Sequence, residues 1–269
     1  MKTVPFYKMQ ASGNDFVVVD NRRRMVADAK RFARKVCAPH TGIGADGILL
    51  FEKSSRADFK MRIVNSDGSE AEACGNGFRC ISLFAHKIQG YPKNFRFESL
   101  SGMIDARIAG RKIRVGLVQP SELRQGNIQV MGRRMHYYFI NTGVPHTVIF
   151  VQGLKDIDVS ALGAAIRHHK EFAPRGTNVN FVEIDGARDI HVRTYERGVE
   201  QETLACGTGS TASAIVSSLT GCCKPPVRVH TSGGEILTID FERKGKVFRK
   251  PTLEGEAHFV YEGKLLDSE

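Results

Sequence analysis

Glu72-Ala-Cys-Gly-Asn-Gly77 and Leu204-Ala-Cys-Gly-Thr-Gly209 are near copies of one another. Each cysteine opens a stretch that reads as a helix. Each also follows an acidic, turn-rich approach, Asn65-Ser-Asp-Gly-Ser-Glu-Ala-Glu72 before Cys74 and Glu196-Arg-Gly-Val-Glu-Gln-Glu-Thr203 before Cys206. A thiol at a helix N-terminus lies beside unpaired amide N–H groups and the positive end of the helix dipole. Such placement lowers a cysteine pKa from about 8.5 to as little as about 3.5–7.5. One such cysteine suggests a nucleophile. Two in duplicated settings suggest a matched pair of proton-transfer groups, one removing a proton from one face of a carbon centre while the other delivers to the opposite face. The glycines after each cysteine let backbone N–H groups approach a carboxylate and stabilise charge developing on it.

Working outward, four helices are expected, over Asp28–Val36, Cys74–Gln89, Val159–His168 and Cys206–Thr220, with Gly90 and Gly221 placed to end the two that follow the cysteines. Short strand-like runs fill the remainder: Pro5–Met9, Phe16–Asp20, Gly47–Phe51, Phe59–Val64, Phe95–Ser99, Arg111–Leu117 and Met135–Ile140. Thr147–Val151, Val179–Ile184, Asp189–Tyr195, Val227–Thr231, Ile236–Phe241 and His258–Tyr261 continue the series. These strands are too many and too closely spaced for a doubly wound parallel sheet. The pattern fits an α+β chain of two similar halves, each a curved, mainly antiparallel sheet wrapped around the helix that begins at its cysteine. The second helix, Gly207-Thr-Gly-Ser-Thr-Ala-Ser-Ala-Ile-Val-Ser-Ser-Leu219, is rich in small residues, so strands can approach it on every side; a surface helix with a stripe of Ile215, Val216 and Leu219 is the weaker alternative. The halves are expected to meet near Gln119-Pro-Ser121, where strand texture gives way to a polar turn.

The chain has 269 residues, 41% hydrophobic and 25% charged, which fits an ordinary globular protein. No apolar run approaches the ~20 residues of a membrane span, and residues 1–20 lack a secretory pattern, so the expected location is cytoplasmic. The six cysteines, Cys37, Cys74, Cys80, Cys206, Cys222 and Cys223, fit a reducing compartment. Net charge is +10, but the basic residues are scattered and only Arg22-Arg-Arg24 forms a run, so a solvated basic face is favoured over nucleic-acid binding. Metal is not expected: Cys74 to Cys80 and Cys222-Cys223 lack Cys-x-x-Cys spacing, and no histidine pair lies at ligand spacing beside them. Nothing calls for pyridoxal phosphate or another cofactor. Without a cofactor as electron sink, an α-proton demands a dry site with helix N-termini acting on the substrate carboxylate.

Beyond the cysteine motifs, ordered landmarks run along the whole chain: Ser12-Gly-Asn-Asp-Phe16, Gly42-Ile-Gly-Ala-Asp46, Met61-Arg-Ile-Val-Asn65, Asn141-Thr-Gly-Val-Pro-His146, Gly176-Thr-Asn-Val-Asn-Phe181 and Arg193-Thr-Tyr-Glu-Arg-Gly198. Together they resemble the diaminopimelate epimerases, cofactor-independent enzymes that interconvert LL- and meso-diaminopimelate for lysine and cell-wall peptide synthesis. The resemblance implies that Cys74 and Cys206 are the acid/base thiols. It implies that N–H groups of Gly75, Asn76, Gly207 and Thr208 hold the carboxylate at the reacting centre, and that Asn14, Asn65, Asn178, Glu196 and Arg197 hold the amino-acid groups, chiefly of the far centre. That assignment suits the residue types: Arg197 offers a planar fork, Glu196 accepts from an ammonium, and the amides serve either. The resemblance further implies an active site in the cleft between the halves and a last strand that returns to the first half, hence residues 1–118 with 257–269 against 119–256. Many members carry Gln where Gly47 stands and Asn where Val144 stands.

Other assignments stay open beside this one. A related racemase or isomerase of the proline-racemase or phenazine-biosynthesis type shares the chemistry, and a basic binding protein with structural cysteines does not. Taken alone, Asn14 and Asn65 are turn residues and Glu196-Arg197 a surface ion pair. His146 is either a satisfied polar residue or an orienter near Glu196. Cys37, Cys80, Cys222 and Cys223 are expected to be structural or incidental, and His168-His-Lys170 a solvated helix end. The expected partner is a small amino-acid substrate, with neither nucleic acid nor membrane, and with a homodimer left open.

Overall fold

In a computed structural model, residues 2–267 are described, and the chain divides into two compact units. The first unit runs up to Gly116 and resumes at Gly255; the second is Leu117–Glu254. In the first, β1 (Lys2–Ala11), β2 (Asn14–Asp20), α1 (Ala29–Val36), β3 (Gly47–Glu52), β4 (Phe59–Asn65) and β5 (Glu70–Ala71) lead to α2 (Gly75–Lys87). They are followed by β6 (Asn94–Ser99), β7 (Gly102–Ala109) and β8 (Lys112–Gly116). In the second, β9 (Ser121–Val130), β10 (Arg133–Asn141), β11 (Pro145–Phe150), α3 (Val159–Arg167), β12 (Asn178–Ile184), β13 (Asp189–Glu196) and β14 (Gln201–Thr203) lead to α4 (Gly207–Leu219). Then come β15 (Val227–Thr231), β16 (Ile236–Lys244) and β17 (Val247–Glu256), and β18 (His258–Asp267) closes the chain.

The two units follow one strand plan. In the first, β1 pairs antiparallel with β2, β2 parallel with β3, β3 antiparallel with β4, β4 parallel with β6, and β6 and β7 antiparallel with β7 and β8. In the second, β10 to β17 repeat that sequence of pairings, with β14 on β13 as β5 is on β4. The strand preceding the series differs in origin. β9 pairs with β10 directly, whereas in the first unit β1 takes its antiparallel neighbour, β18, from the end of the chain.

Each unit has a helix on either side of its sheet. α2 packs against β1, β2, β3, β7 and β8, strands from both ends of the order, so the sheet curves around it; α4 is enclosed in the same way by β10 to β13, β15 and β16. The outer faces are covered by α1, which buries Ala29, Ala33 and Val36 against Val17, Ile48, Leu50 and Val64, and by α3, which buries Val159, Leu162 and Ile166 against Val179, Phe181 and Tyr195. Strands covered on both faces lose the polar alternation of a half-exposed strand, which is why β3 reads as an unbroken apolar run. Asp28 and Asp158 cap α1 and α3, accepting from the N–H of Arg31 and Ala161 at 3.0 Å each. Gly90 and Gly221 follow α2 and α4 at φ of +74° and +81°, the left-handed turn glycine adopts without a Cβ clash.

α4 is buried along nearly its whole length, so the central-helix expectation holds and the surface stripe does not. Five strands escaped the sequence, four of them for a physical cause. β9 was expected to open on a polar turn, yet it is a strand with most side chains exposed and only Ile128 and Val130 buried. β17 carries Pro251, which cannot donate to a ladder. β5 and β14 are two and three residues long. β7 had a legible signal, Ile104, Ala106 and Ile108 buried between exposed neighbours. Among the described residues no helix is long and apolar enough to cross a membrane.

Candidate active site

Each cysteine is delivered to its helix by the same local device. In the first unit Arg62 on β4 forks onto Glu70 of β5, Nε to Oε1 at 2.8 Å and Nη2 to Oε2 at 3.0 Å. In the second Arg193 on β13 forks onto Glu202 of β14, both bonds at 2.8 Å. A bidentate guanidinium–carboxylate pair fixes direction as well as distance. Four residues after each glutamate, the chain reaches Cys74 or Cys206 at the N-cap position in extended conformation, φ/ψ of −150°/111° and −121°/111°. The first N–H groups of both helices have no carbonyl of their own helix to bond. The residues expected to hold a carboxylate, Gly75 and Asn76 on α2 and Gly207 and Thr208 on α4, are those first positions.

Around Cys74 the contacts form a chain. Its Sγ accepts from the N–H of Gly77 at 3.4 Å and lies 3.6 Å from Asn14 Oδ1. Asp46, an acceptor only, takes Asn14 Nδ2 at 2.6 Å, so Asn14 turns its oxygen to the thiol and to Asn76 Nδ2 at 3.5 Å. Asp46 is held in turn by exchange with Asp15, whose carboxylate pairs with buried Lys8 at 2.6 Å. Arg79, one turn along α2 and fully buried, donates to Asn76 Oδ1 and Ser12 Oγ at 2.6 Å each and to the carbonyl of Glu256 at 2.7 Å. Asn65, at the end of β4, bonds Ser69 Oγ through its amide nitrogen at 3.0 Å. Opposite it Gly47 starts β3; a Cβ there would lie 2.8 Å from the Val64 carbonyl oxygen, so the missing side chain has a packing cause.

Around Cys206 the surroundings differ. Its Sγ makes no capping bond to the helix backbone and lies 3.4 Å from Thr208 Oγ1, while Thr142 Oγ1 donates to the Thr208 carbonyl at 3.0 Å. Asn178 donates to the Pro145 carbonyl at 2.9 Å and accepts from the backbone N–H of Arg197 at 2.8 Å, so its amide is oriented by both ends. Glu196 Oε2 accepts from Thr203 Oγ1 at 3.1 Å. Burial, together with the charges of Arg167 and Arg175, pulls the Arg197 guanidinium below its ordinary pKa. An anion beside it would relieve that field. His146 is fully buried on β11, and burial with Arg197 nearby pushes its pKa down to about 3, so the ring is neutral.

The structure therefore places Cys74, Asn14, Asn65, Gly75 and Asn76 in the first unit and Cys206, Asn178, Glu196, Arg197, Gly207, Thr208 and His146 in the second. By strand register the place of Asn14 is taken in the second unit by Val144, since Phe16 pairs with Gly47 as His146 pairs with Asn178. Sequence reasoning gave no role to Asp46, Arg79, Asn180 or the two arginine–glutamate forks. Asp46 sat in a quoted landmark, and Asn180 carried a signal as a lone amide inside Val179-Asn-Phe-Val182. Of the other cysteines, burial pushes the Cys37 thiol up to about 12 and raises that of Cys223, as for inert core thiols.

The family model for diaminopimelate epimerase matches residues 6–120 and 138–260. The chain is 48% identical to the diaminopimelate epimerase of Aquifex aeolicus, with 97% of each chain covered, and 41% identical to that of Chlorobaculum tepidum, covering 96% of this chain and 99% of that one. Among solved structures, a Bacillus anthracis phenazine biosynthesis protein of the PhzF family superposes with a TM-score of 0.77 at 16% identity, covering 99% of this chain and 100% of that one. A hydroxyproline epimerase from Agrobacterium vitis gives 0.73 at 16%, covering 98% and 91%. At such identities the structures speak for the fold alone, a sheet-dominated α+β architecture.

Proposed function

The chain belongs to the diaminopimelate epimerase family, and from that premise we propose that it is an isomerase interconverting LL- and meso-diaminopimelate without pyridoxal phosphate, in the cytoplasm. One thiolate takes the α-proton; the C–H electron pair passes into the carboxylate as an enediolate. The other thiol gives its proton to the opposite face, leaving the two cysteines with their protonation states exchanged. Cys74 and Cys206 fill these roles. N–H groups of Gly75, Asn76, Gly207 and Thr208 stabilise the enediolate, where donors fixed in advance act most strongly. Asn14, Asn65, Asn178, Glu196 and Arg197 hold the amino-acid groups, with Arg197 and its cationic neighbours suited to the distal carboxylate. The substrate is a small amino acid, and the product supplies lysine and cell-wall peptide synthesis.

The observation that carries this reading is the repetition: two units of one strand plan each present a cysteine as the N-cap of a buried helix. A substrate panel in deuterated water tests it, with α-deuterium uptake followed by NMR and product stereochemistry by chiral chromatography. Turnover of LL-diaminopimelate with deuterium at one centre is expected. Faster turnover of proline or glutamate would overturn the substrate, and no α-exchange with any amino acid would overturn the chemistry.

A further inference from the structure

Beneath the start of α4 the second unit holds a buried polar group that the first lacks. Asn180, His146, Thr147 and Thr194 stand where register places Leu49, Phe16, Val17 and Ile63. The helices themselves agree with that correspondence: a Cβ on Gly77 would meet Leu49 Cδ2, and one on Gly209 would meet Asn180 Oδ1. All four polar residues are nine-tenths or more buried, where each unmatched polar group costs about 1–3 kcal/mol.

Their hydrogen bonds leave one arrangement. The Thr147 carbonyl oxygen accepts only, and it lies 3.1 Å from Asn180 Nδ2, so the amide nitrogen faces it. The second N–H of that nitrogen points to His146 Nδ1, also at 3.1 Å, and Oδ1 takes the Thr194 hydroxyl at 3.0 Å. With a donor opposite it, Nδ1 has to accept, and the proton of the neutral ring sits on Nε2. A protonated ring would set two donors face to face. Nε2 is buried and finds no hydrogen-bond partner among the described residues.

We infer that Asn180 is a positioning residue that locks His146 as the neutral Nε2–H tautomer, with its Nδ1 lone pair taken up by the amide, so that the ring does not act as a base. Burial and the Arg197 charge act in the same direction, since both disfavour the imidazolium. The tautomer follows from the geometry alone; its part in turnover rests on the epimerase reading.

The two-bond ¹⁵N–¹H pattern of histidine-labelled protein reads the tautomer directly, with the His146 signals assigned by comparison with His146→Gln. The wild-type protein should show Nε2–H with no titration between about pH 5 and 9. Asn180→Asp replaces the donor facing Nδ1 with an acceptor. It should place a proton on Nδ1, bring a histidine ionisation into the pH profile, and lower kcat on LL-diaminopimelate at least about tenfold with KM within about twofold. Asn180→Leu, which copies the first unit, should release the lock and show both tautomers. A wild-type His146 protonated at Nδ1, or titrating near its ordinary value, overturns the lock. Wild-type kcat in an Asn180→Asp protein whose tautomer has changed overturns the role in turnover. Circular dichroism identifies a variant that fails to fold, and the wild-type spectrum then decides the lock by itself. A wild-type enzyme inactive on diaminopimelate sinks the epimerase reading and leaves the tautomer test intact.

Discussion

The two units share a strand plan, a helix order and an arginine–glutamate fork, yet they support their cysteines by different means. In the first unit α2 carries Phe78, Ile81 and Phe84 into an aromatic core in which neighbouring rings of Phe51, Phe59, Phe78, Phe84 and Phe97 lie with centroids 4.3–5.6 Å apart. The polar contacts sit above, in Asn14, Asp46, Asn76 and Arg79. In the second, α4 is rich in serine, threonine and alanine, and two of its hydroxyls bond the preceding turn, Thr211 to the Gly207 carbonyl at 2.9 Å and Ser213 to that of Gly209 at 2.8 Å. Its polar layer lies below the helix, in Asn180 and its partners. A shared backbone plan thus fixes where each thiol stands on its helix, while the side chains around the two thiols are unequal.

The largest expected effect tests whether that inequality matters for turnover. Alanine at Cys74 or Cys206 removes a proton carrier that each direction needs, and either change should lower epimerisation by about 10²–10⁴-fold or more. Serine keeps a donor but is a far poorer base. Each serine variant should therefore lose α-hydrogen abstraction from one stereoisomer more severely, and the favoured isomer should switch between Cys74→Ser and Cys206→Ser. Proton–deuterium exchange from each isomer measures this. The same isomer bias in both variants, or full activity in either alanine variant, would break the two-thiol mechanism.

Next comes the contact between each helix and its sheet. A Cβ at position 209 would lie 2.3 Å from Oδ1 of Asn180, whose amide is held by three hydrogen bonds, whereas at position 77 it would meet the ends of Met61 and Leu49 at 3.2 and 3.3 Å. Both changes gain similar helix propensity, so their difference isolates packing. Gly209→Ala should cost about 3 kcal/mol and Gly77→Ala under about 1, measured as urea midpoints. Equal costs would show that the polar layer yields as readily as the apolar one.

These contrasts also explain what was legible in the sequence. Helix positions were, because caps and glycine stops are local: Cys74, Cys206, Gly90 and Gly221 announce their roles within a few residues. Most strands with apolar periodicity were too, β7 with its buried Ile104, Ala106 and Ile108 being passed over. β9 was not, because an exposed strand has no reason to look apolar, and β17 hides behind Pro251. The polar layer was invisible for another reason. Asn180, His146, Thr147 and Thr194 come from three strands, and only pairing register brings them together. Asn14 was readable as a turn residue, but its orientation depends on Asp46, far along the chain.

pH separates the units more gently. His146 has a pKa pushed down to about 3, against an ordinary value of about 6.5. Between those values the unfolded chain binds a proton that the folded one refuses, so stability is complete above about pH 6.5 and falls as pH drops, by up to about 1.4 kcal/mol per pH unit. At pH 5 the loss should be about 2 kcal/mol. His146→Phe copies the residue at the corresponding place, Phe16, and should flatten this limb whatever its effect on absolute stability. An unchanged slope between pH 6.5 and 5 in the variant would assign the acid sensitivity to other groups.

The smallest effect asks whether the units are alike where they look alike. Asp28 and Asp158 cap the matched outer helices with bonds of the same 3.0 Å length. Replacing either with alanine leaves the N–H of Arg31 or Ala161 to water and should cost about 1 kcal/mol. The two costs should not be quite equal. Asp158 also acts on Arg193, whose pKa is raised chiefly by its bond to Glu202 and further by the charge of Asp158. Asp28→Ala removes a cap, whereas Asp158→Ala removes a cap and a charge facing the fork that leads to Cys206. The second should exceed the first by a few tenths of a kcal/mol, and the excess should vanish in 1 M salt, where screening acts within about 3 Å. Equal costs at low salt would confine Asp158 to capping, and a larger cost for Asp28→Ala would overturn the matching of the outer helices.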